Sequence, residues 1–150
     1  MIPVKIKKIG SGWLPTRATP GAAALDLYAR TRVDLSRMRR GDSVVIPCGF
    51  AVELPPGYEA QIRARSSAYG RWGVVIPNAP GTIDSDYRGE IKVQFALLGL
   101  PKSPLLAGDR IAQMVIQRVP EIELVEAQDL SETKRGSGGF GSTGTEASDE

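Results

Sequence analysis

The 150-residue sequence contains no histidine and a single cysteine, Cys48. These absences exclude histidine-dependent nucleophiles and general bases, histidine-ligated zinc, thiolate clusters and any disulfide within the chain. Any catalysis must therefore use carboxylates, hydroxyls, amides, arginines or an oxygen-bound cation such as Mg²⁺. Because nothing nearby can activate Cys48, we interpret it as a small buried hydrophobic residue.

Long apolar runs are also missing. No stretch approaches the roughly 20 apolar residues that span a bilayer, and the first residues lack the apolar centre of a signal peptide. The formal net charge of +2 is too small to indicate a nucleic-acid partner. We therefore expect a soluble cytoplasmic protein without membrane or nucleic-acid partners.

What the chain does contain is a series of short segments with β-strand patterns, separated by Gly/Pro turns. The clearest is Tyr58–Arg65, in which apolar and polar residues alternate. One short helix is expected at Ser66–Arg71, because serines precede it and Gly73 follows it. The pattern predicts an all-β sandwich, barrel or jelly roll. The other predicted strands are Val4–Ile9, Leu25–Tyr28, Ser43–Pro47, Phe50–Leu54, Val74–Pro77, Glu90–Leu98, Ile111–Val119 and Ile122–Glu126.

Residues Asn78–Val93 form the stretch around which we expect the fold to be organised. Gly and Pro lead into a polar turn, and the alternation of Ile91 and Val93 with charged residues indicates a following strand. We predict a β-hairpin whose turn carries Asp84, Asp86 and Tyr87. The two carboxylates could share a cation or hold a water molecule, although Asp is also an ordinary turn residue.

Three further polar clusters allow a functional and a structural interpretation. Asp26 lies on an apolar strand, where it either bonds to nearby backbone or serves a site. Arg65 and Ser66 join a strand to the short helix, which suits either an anion site or a capped helix with surface arginines. Gln113 follows a Gly-Asp turn and is either a ligand or an exposed strand residue.

The composition changes after Leu130. The last twenty residues contain five glycines and a single aromatic residue, Phe140, so they cannot build a core. We therefore predict a β domain at residues 1–130 and a flexible tail at residues 131–150. Within the tail, Arg135, the aromatic ring and hydroxyls lie among glycines that allow close approach to an anion, although a solvated terminus has a similar composition.

Taken together, in this order and spacing, the clusters resemble the five motifs of the trimeric dUTP pyrophosphatase (dUTPase) family over nearly the whole chain. The two most specific motifs are the third and the fifth. In chain order the five are Pro20–Ala29, Ala64–Ser67, Asn78–Val93, Gly108–Gln113 and Arg135–Gly144.

The resemblance implies a distorted jelly roll, or β-clip, that assembles as a homotrimer with active sites shared between subunits. It implies hydrolysis of dUTP to dUMP and pyrophosphate, which limits uracil in DNA and supplies dUMP for dTMP synthesis. Asp84 would be the catalytic base that activates water for attack on the α-phosphorus. Mg²⁺ would be bound by the triphosphate, with Asp26 acting through water.

The resemblance also implies a set of substrate-binding residues. Asn78 and backbone groups would recognise uracil, Tyr87 would pack against the deoxyribose, and the tail would close over the site as a lid. The full implied set is Arg65, Ser66, Ser67, Asn78, Gly81, Thr82, Ile83, Tyr87, Gln113, Arg135, Phe140, Gly141, Ser142 and Thr143.

Two alternatives compete with this hypothesis. The related dCTP deaminases place a catalytic glutamate five residues after the glycine of the third motif, but here Gly89 is followed by Gln94 at that spacing. A non-catalytic nucleotide-binding or regulatory β-module could use the same pocket.

Overall fold

The computed structural model describes residues 1–140 and residue 142. Within these residues the chain forms nine β-strands, one short α-helix and one 3₁₀ turn at Leu35–Arg37. In chain order the elements are β1 (Lys5–Lys8), β2 (Leu25–Tyr28), β3 (Ser43–Pro47), β4 (Phe50–Glu53), β5 (Tyr58–Ala64), α1 (Ser67–Trp72), β6 (Val74–Val75), β7 (Gly81–Ile83), β8 (Lys92–Leu97) and β9 (Arg110–Arg118).

The strands form three antiparallel sheets. The largest has the order β2-β9-β5-β7, the second has the order β3-β8-β6, and β1 pairs with β4. Inward-facing residues of the two larger sheets belong to one hydrophobic cluster, which includes Ile62, Met114, Val93 and Phe95. The two sheets therefore enclose a single core, and the predicted all-β fold with one short helix is confirmed.

The strand alternation read from the sequence matches the burial. In β5, Ala60 and Ile62 are buried, whereas Gln61 and Arg63 are partly exposed. Cys48 is fully buried, as expected. Burial, followed by the nearby charge of Glu90, raises the pKa of its thiol to about 12.

Helix α1 begins one residue later than predicted. Ser66 is its N-cap residue but makes no side-chain capping bond, and Gly73 ends the helix in the left-handed conformation, with φ of 67°. A Cβ atom on Gly73 would lie only 2.5 Å from the backbone carbon of Gly99. Glycine at this position therefore satisfies both the backbone conformation and the close packing.

Two structural predictions are wrong. Residues Asn78–Val93 do not form a hairpin, because β7 pairs with β5 whereas β8 pairs with β3 and β6. The turn after β7 instead carries the chain from one sheet to the other. The predicted strand at Ile122–Glu126 is an exposed irregular segment, since no strand in the described part of the chain lies beside it to complete its hydrogen bonds.

No helix among residues 1–140 is long and apolar enough to cross a membrane.

Candidate active site

The first part of the site lies on one row of the four-stranded sheet. Gln113 of β9 is paired with Asp26 of β2 on one side and with Arg63 of β5 on the other. Residues directly opposite each other in paired strands project from the same face. The register therefore brings together residues that are 37 to 87 positions apart in the chain. No local sequence pattern indicates that they are neighbours.

Asp26 is 8% exposed and lies between two guanidinium groups. Its Oδ1 atom is 3.1 Å from Nε of Arg65, and its Oδ2 atom is 3.1 Å from Nη1 of Arg110. A buried carboxylate needs such partners, because an unpaired one would be costly to remove from water. Two arginine side chains therefore stabilise the carboxylate of Asp26.

The same contacts fix the positions of the neighbouring side chains. Arg65 also donates a hydrogen bond to the carbonyl of Arg110, at 3.3 Å, and Gln113 donates one to the carbonyl of Ala64, at 2.9 Å. Ser66, with no capping bond, keeps its hydroxyl available for a ligand. Ser67 is the exposed first residue of α1.

Asp26, Arg65, Ser66 and Gln113 line an open cavity of about 390 Å³. Two arginines contribute to its wall, together with hydroxyl and amide groups, and these are donors that bind phosphate oxygens. The carboxylate of Asp26 contributes acceptor oxygens. The residues that line it are Ala18, Ala22, Ala23, Ala24, Asp26, Arg63, Arg65, Ser66, Gln113 and Val115.

Two arginines of this region, Arg63 and Arg110, belong to the polar clusters of the sequence but were not among the expected site residues. Arg63 points into the cavity and is held by hydrogen bonds to Oε1 of Gln61, the shorter being 2.6 Å, while Gln61 in turn binds Glu59 at 2.7 Å. Arg110 forms an ion pair with Asp26 across 84 residues. The alternation of β5 could have indicated that Arg63 and Gln61 share a face, but nothing local indicates the partner of Arg110.

A second, smaller cavity of about 190 Å³ lies beside β7. Asn78, Gly81, Thr82 and Ile83 line it together with residues of β5 and β8. A Cβ atom on Gly81 would lie 3.4 Å from Nδ2 of Asn78, so the amide packs closely against the glycine backbone. The structure thus brings together the residues expected to recognise uracil.

The turn that follows β7 carries Asp84 and Tyr87. Asp84 is exposed and lines a third cavity, with Tyr58, Glu59 and Glu121 among its neighbours there. The backbone N–H of Tyr87 donates to the carbonyl of Asp84 at 3.2 Å, which closes the turn. Asp84 therefore lines a different cavity from Arg65 and Gln113 within one chain.

The tail residues lie apart from these cavities. Arg135 donates to the carbonyl of Gly138 at 2.9 Å, and the ring of Phe140 is fully exposed. Ser142 donates its backbone N–H to the carbonyl of Gly139. Gly141 and Thr143, which were also expected to bind substrate, lie outside the described residues.

The donor set near Asp26 fits a magnesium ion that is held mainly by phosphate and water. The described residues contain no group of three or more acidic or cysteine side chains that could form a metal cage. Each oxygen of Asp26 bonds to one arginine and so retains a lone pair that can accept a hydrogen bond from an ion-bound water. Mg²⁺ keeps several waters in such sites, so one carboxylate is sufficient.

A sequence model of the dUTPase family matches residues 11–144. The chain belongs to the dUTPase family. The resemblance drawn from the five motifs is thereby confirmed.

Relatives of this dUTPase-family chain are similar along nearly its full length. The deoxyuridine 5'-triphosphate nucleotidohydrolase of Anaplasma marginale is 49% identical over 97% of this chain and 100% of the relative. The protein of the same name from Hydrogenobaculum sp. is 51% identical over 87% of this chain and 90% of its own length.

Solved structures show the same fold. A Staphylococcus bacteriophage 80alpha dUTPase, solved with dUpNHpp, superposes with a TM-score of 0.81 at 23% identity, covering 95% of this chain and 99% of the phage chain. The dUTPase of phage phi11 of S. aureus has a TM-score of 0.72 at 19% identity over 85% of this chain and 97% of its own, and its structure is described as showing the coordination of a structural Mg(II) ion. At these identities the two structures establish the fold.

Proposed function

We propose that this dUTPase-family chain hydrolyses dUTP to dUMP and pyrophosphate, which limits uracil in DNA and supplies dUMP for dTMP synthesis. The observation that carries the proposal is the cavity in which Asp26, Arg65, Ser66 and Gln113 converge. Three of the five family motifs meet there through sheet register rather than proximity in sequence.

The cavity at Asp26 suits the triphosphate. Arg65 presents a charged donor, Ser66 a hydroxyl and Gln113 an amide, and the pairing with Asp26 holds the Arg65 guanidinium in place before substrate arrives. Such preorganised charge stabilises the phosphate oxygens without reorganisation during the reaction. When bound, Mg²⁺ would neutralise part of the negative charge of the triphosphate. Asp26 would accept hydrogen bonds from the water molecules on the ion.

The cavity beside β7 suits the uracil base. Asn78 offers both a donor and an acceptor, and the backbone of Gly81–Ile83 presents further polar groups. A site that pairs with the polar edge of uracil rejects cytosine, because mismatched buried groups lose their hydrogen bonds. As the family resemblance implies, a tight wall beside the base would exclude a 5-methyl group.

Asp84 is the proposed general base. It is exposed in the turn directly after the uracil-binding strand, where its carboxylate can accept a proton from the attacking water. Attack of that water on the α-phosphorus forms the new P–O bond, and pyrophosphate leaves. Tyr87, three residues further, packs against the sugar.

The division of the site within one chain supports a site that is shared between subunits, and the family resemblance implies that the assembly is a homotrimer. Asp84 lines one cavity, whereas Arg65 and Gln113 line another, so a complete site needs residues from neighbouring subunits. In the assembled enzyme, residues 131–150 act as the lid, with Phe140 on uracil and Arg135 on the γ-phosphate. We place the enzyme in the cytoplasm.

Incubation of the protein with each dNTP and with UTP, in the presence of Mg²⁺, tests the proposal. We expect pyrophosphate release from dUTP to be far faster than from dCTP, dTTP or UTP, and EDTA to abolish it. Absence of release from dUTP would overturn the enzymatic proposal and leave a nucleotide-binding module. Ammonia release from dCTP would instead indicate a deaminase.

A further inference from the structure

The ring of Tyr87 lies directly across the backbone of Gly89. Its hydroxyl donates a hydrogen bond to the backbone carbonyl of Glu90, at 3.1 Å. A Cβ atom on Gly89 would lie 2.5 Å from Cζ and 2.9 Å from Cε2 of the tyrosine, and it would also overlap the hydroxyl oxygen. The ring can therefore occupy this position only because residue 89 has no side chain.

Space, rather than a left-handed backbone, requires glycine at this position. Gly89 is absent from the glycines with positive φ among the described residues, so its backbone lies outside the region that favours glycine. All three close contacts are atoms of the Tyr87 side chain rather than of the backbone. A side chain at position 89 would therefore displace the tyrosine ring and leave the main chain in place.

The acceptor of the tyrosine hydroxyl is held rigidly. The Oε1 atom of Glu90 accepts a hydrogen bond from the Gly49 backbone at 2.9 Å and forms an ion pair with Arg30 at 3.3 Å. The next residue, Ile91, exchanges backbone hydrogen bonds with Cys48 and Phe50, at 3.0 and 2.8 Å. The carbonyl of Glu90 therefore cannot follow the ring if the ring is pushed away.

We propose that Gly89 is a positioning residue for substrate specificity, which fixes the Tyr87 ring against the sugar by leaving the space in which its hydroxyl reaches Glu90. This inference rests on the proposed function, in which Tyr87 packs against the deoxyribose. When its hydroxyl is bonded to Glu90, the Tyr87 ring leaves no room for a 2′-hydroxyl on the sugar. A displaced ring leaves a gap that the 2′-hydroxyl can enter. Gly89 thus contributes to discrimination between dUTP and UTP without contacting either nucleotide.

The test compares kcat/KM for dUTP and for UTP in the wild type, Gly89→Ala and Gly70→Ala. Gly70 is a matched control, since a Cβ atom there meets nothing within 4 Å. We expect the dUTP-to-UTP ratio to fall about tenfold in Gly89→Ala, the factor that corresponds to one lost hydrogen bond, and to stay at the wild-type value in Gly70→Ala. A purely structural defect would lower both rates alike and leave the ratio unchanged.

Two tyrosine variants keep the proposal testable if Gly89→Ala folds poorly. Tyr87→Phe removes the bond to Glu90 but keeps the space, and should lower the ratio in the same direction. Adding Gly89→Ala to Tyr87→Ala should produce no further change in the ratio, because the ring through which Gly89 acts is already absent. An unchanged dUTP-to-UTP ratio in Gly89→Ala, or a further fall of this ratio in the double variant, would overturn the inference. A wild-type protein that releases no pyrophosphate from dUTP would instead overturn the proposed function.

Discussion

The Nε atom of Arg65 lies 3.1 Å from Oδ1 of Asp26, so the arginine proposed to bind phosphate is already bound to a carboxylate. Arg110 occupies the other oxygen of Asp26 at the same distance. One buried carboxylate thus keeps two cations close together, and one of them, Arg65, lines the cavity. Without it, the two guanidinium groups would face each other with no counter-charge between them.

Asp26→Asn should therefore disturb both stability and activity. The amide cannot neutralise Arg65 and Arg110. We expect the free energy of unfolding to fall by about 2 kcal/mol, less than for a fully buried pair, because the two arginine side chains are 28% and 49% exposed. We expect kcat/KM for dUTP to fall by about 10- to 100-fold, the usual effect of removing a group that orients a site residue. Urea unfolding and pyrophosphate release measure the two effects.

The matched control for Asp26 is Glu53→Gln. Glu53 pairs with Lys5 at 2.9 Å, but both side chains are largely exposed, at 44% and 79%. Exposed pairs contribute little, so stability and activity should stay close to the wild type. If Asp26→Asn were as harmless as Glu53→Gln, Asp26 would not hold the two arginines in their working positions.

Asp84→Asn should preserve the fold and the binding of nucleotide while removing turnover. The amide keeps the size of the carboxylate but cannot take a proton from water, so we expect kcat to fall by about 10²–10⁴. Asp86→Asn is the control, because Asp86 is an exposed residue of the same turn and has no assigned role. Calorimetric titration with a non-hydrolysable dUTP analogue separates binding from catalysis, and a fully active Asp84→Asn would refute the assigned base.

Local features of the fold were predictable from the sequence, and long-range partners were not. The alternation in Tyr58–Ala64 and the glycine after α1 follow from neighbouring residues, and the structure matches both. The pattern of β8 also indicated its buried face. It did not indicate which sheet β8 joins, because the same alternation fits a hairpin with β7 or pairing with β3 and β6.

The same limit applies to the candidate site. Asp26, Arg65 and Gln113 could be named from their motifs, but the pairing of Asp26 with Arg110 depends on how β2 and β9 align. The segment Ile122–Glu126 has a strand pattern without a partner strand in the described chain, so its pattern alone gave a wrong assignment.

Cys48 should make the stability of the protein depend on alkaline pH. Burial raises the pKa of its thiol from about 9 to about 12, so between these values the folded state keeps a proton that the unfolded state has released. The unfolded state then binds fewer protons, and stability falls as pH rises, by about 1.4 kcal/mol per pH unit from this group. Below about pH 9 the thiol is protonated in both states, so it does not change the free energy of unfolding with pH.

Cys48→Ala removes this dependence. We expect the difference in free energy of unfolding between wild type and variant to be constant from pH 6 to 8. Above about pH 9 the wild type should lose stability relative to the variant. Other groups that titrate in this range cancel in the difference. Parallel stability curves up to pH 10.5 would show that the thiol titrates normally in the folded state.

Removal of residues 131–150 should leave the core intact and impair catalysis. The described tail residues are largely exposed, and the buried hydrophobic residues end at Met114, so the unfolding transition of a chain ending at Leu130 should match the wild type. We expect kcat/KM for dUTP to fall by a factor of about 100 or more, because the lid that orients substrate is lost.

The control is a chain that ends at Gly144. It keeps the whole fifth motif, lacks only the acidic end and should retain wild-type turnover. Normal turnover by the chain ending at Leu130, with an unchanged oligomer mass, would contradict the lid, since the site would then be complete without Arg135 and Phe140.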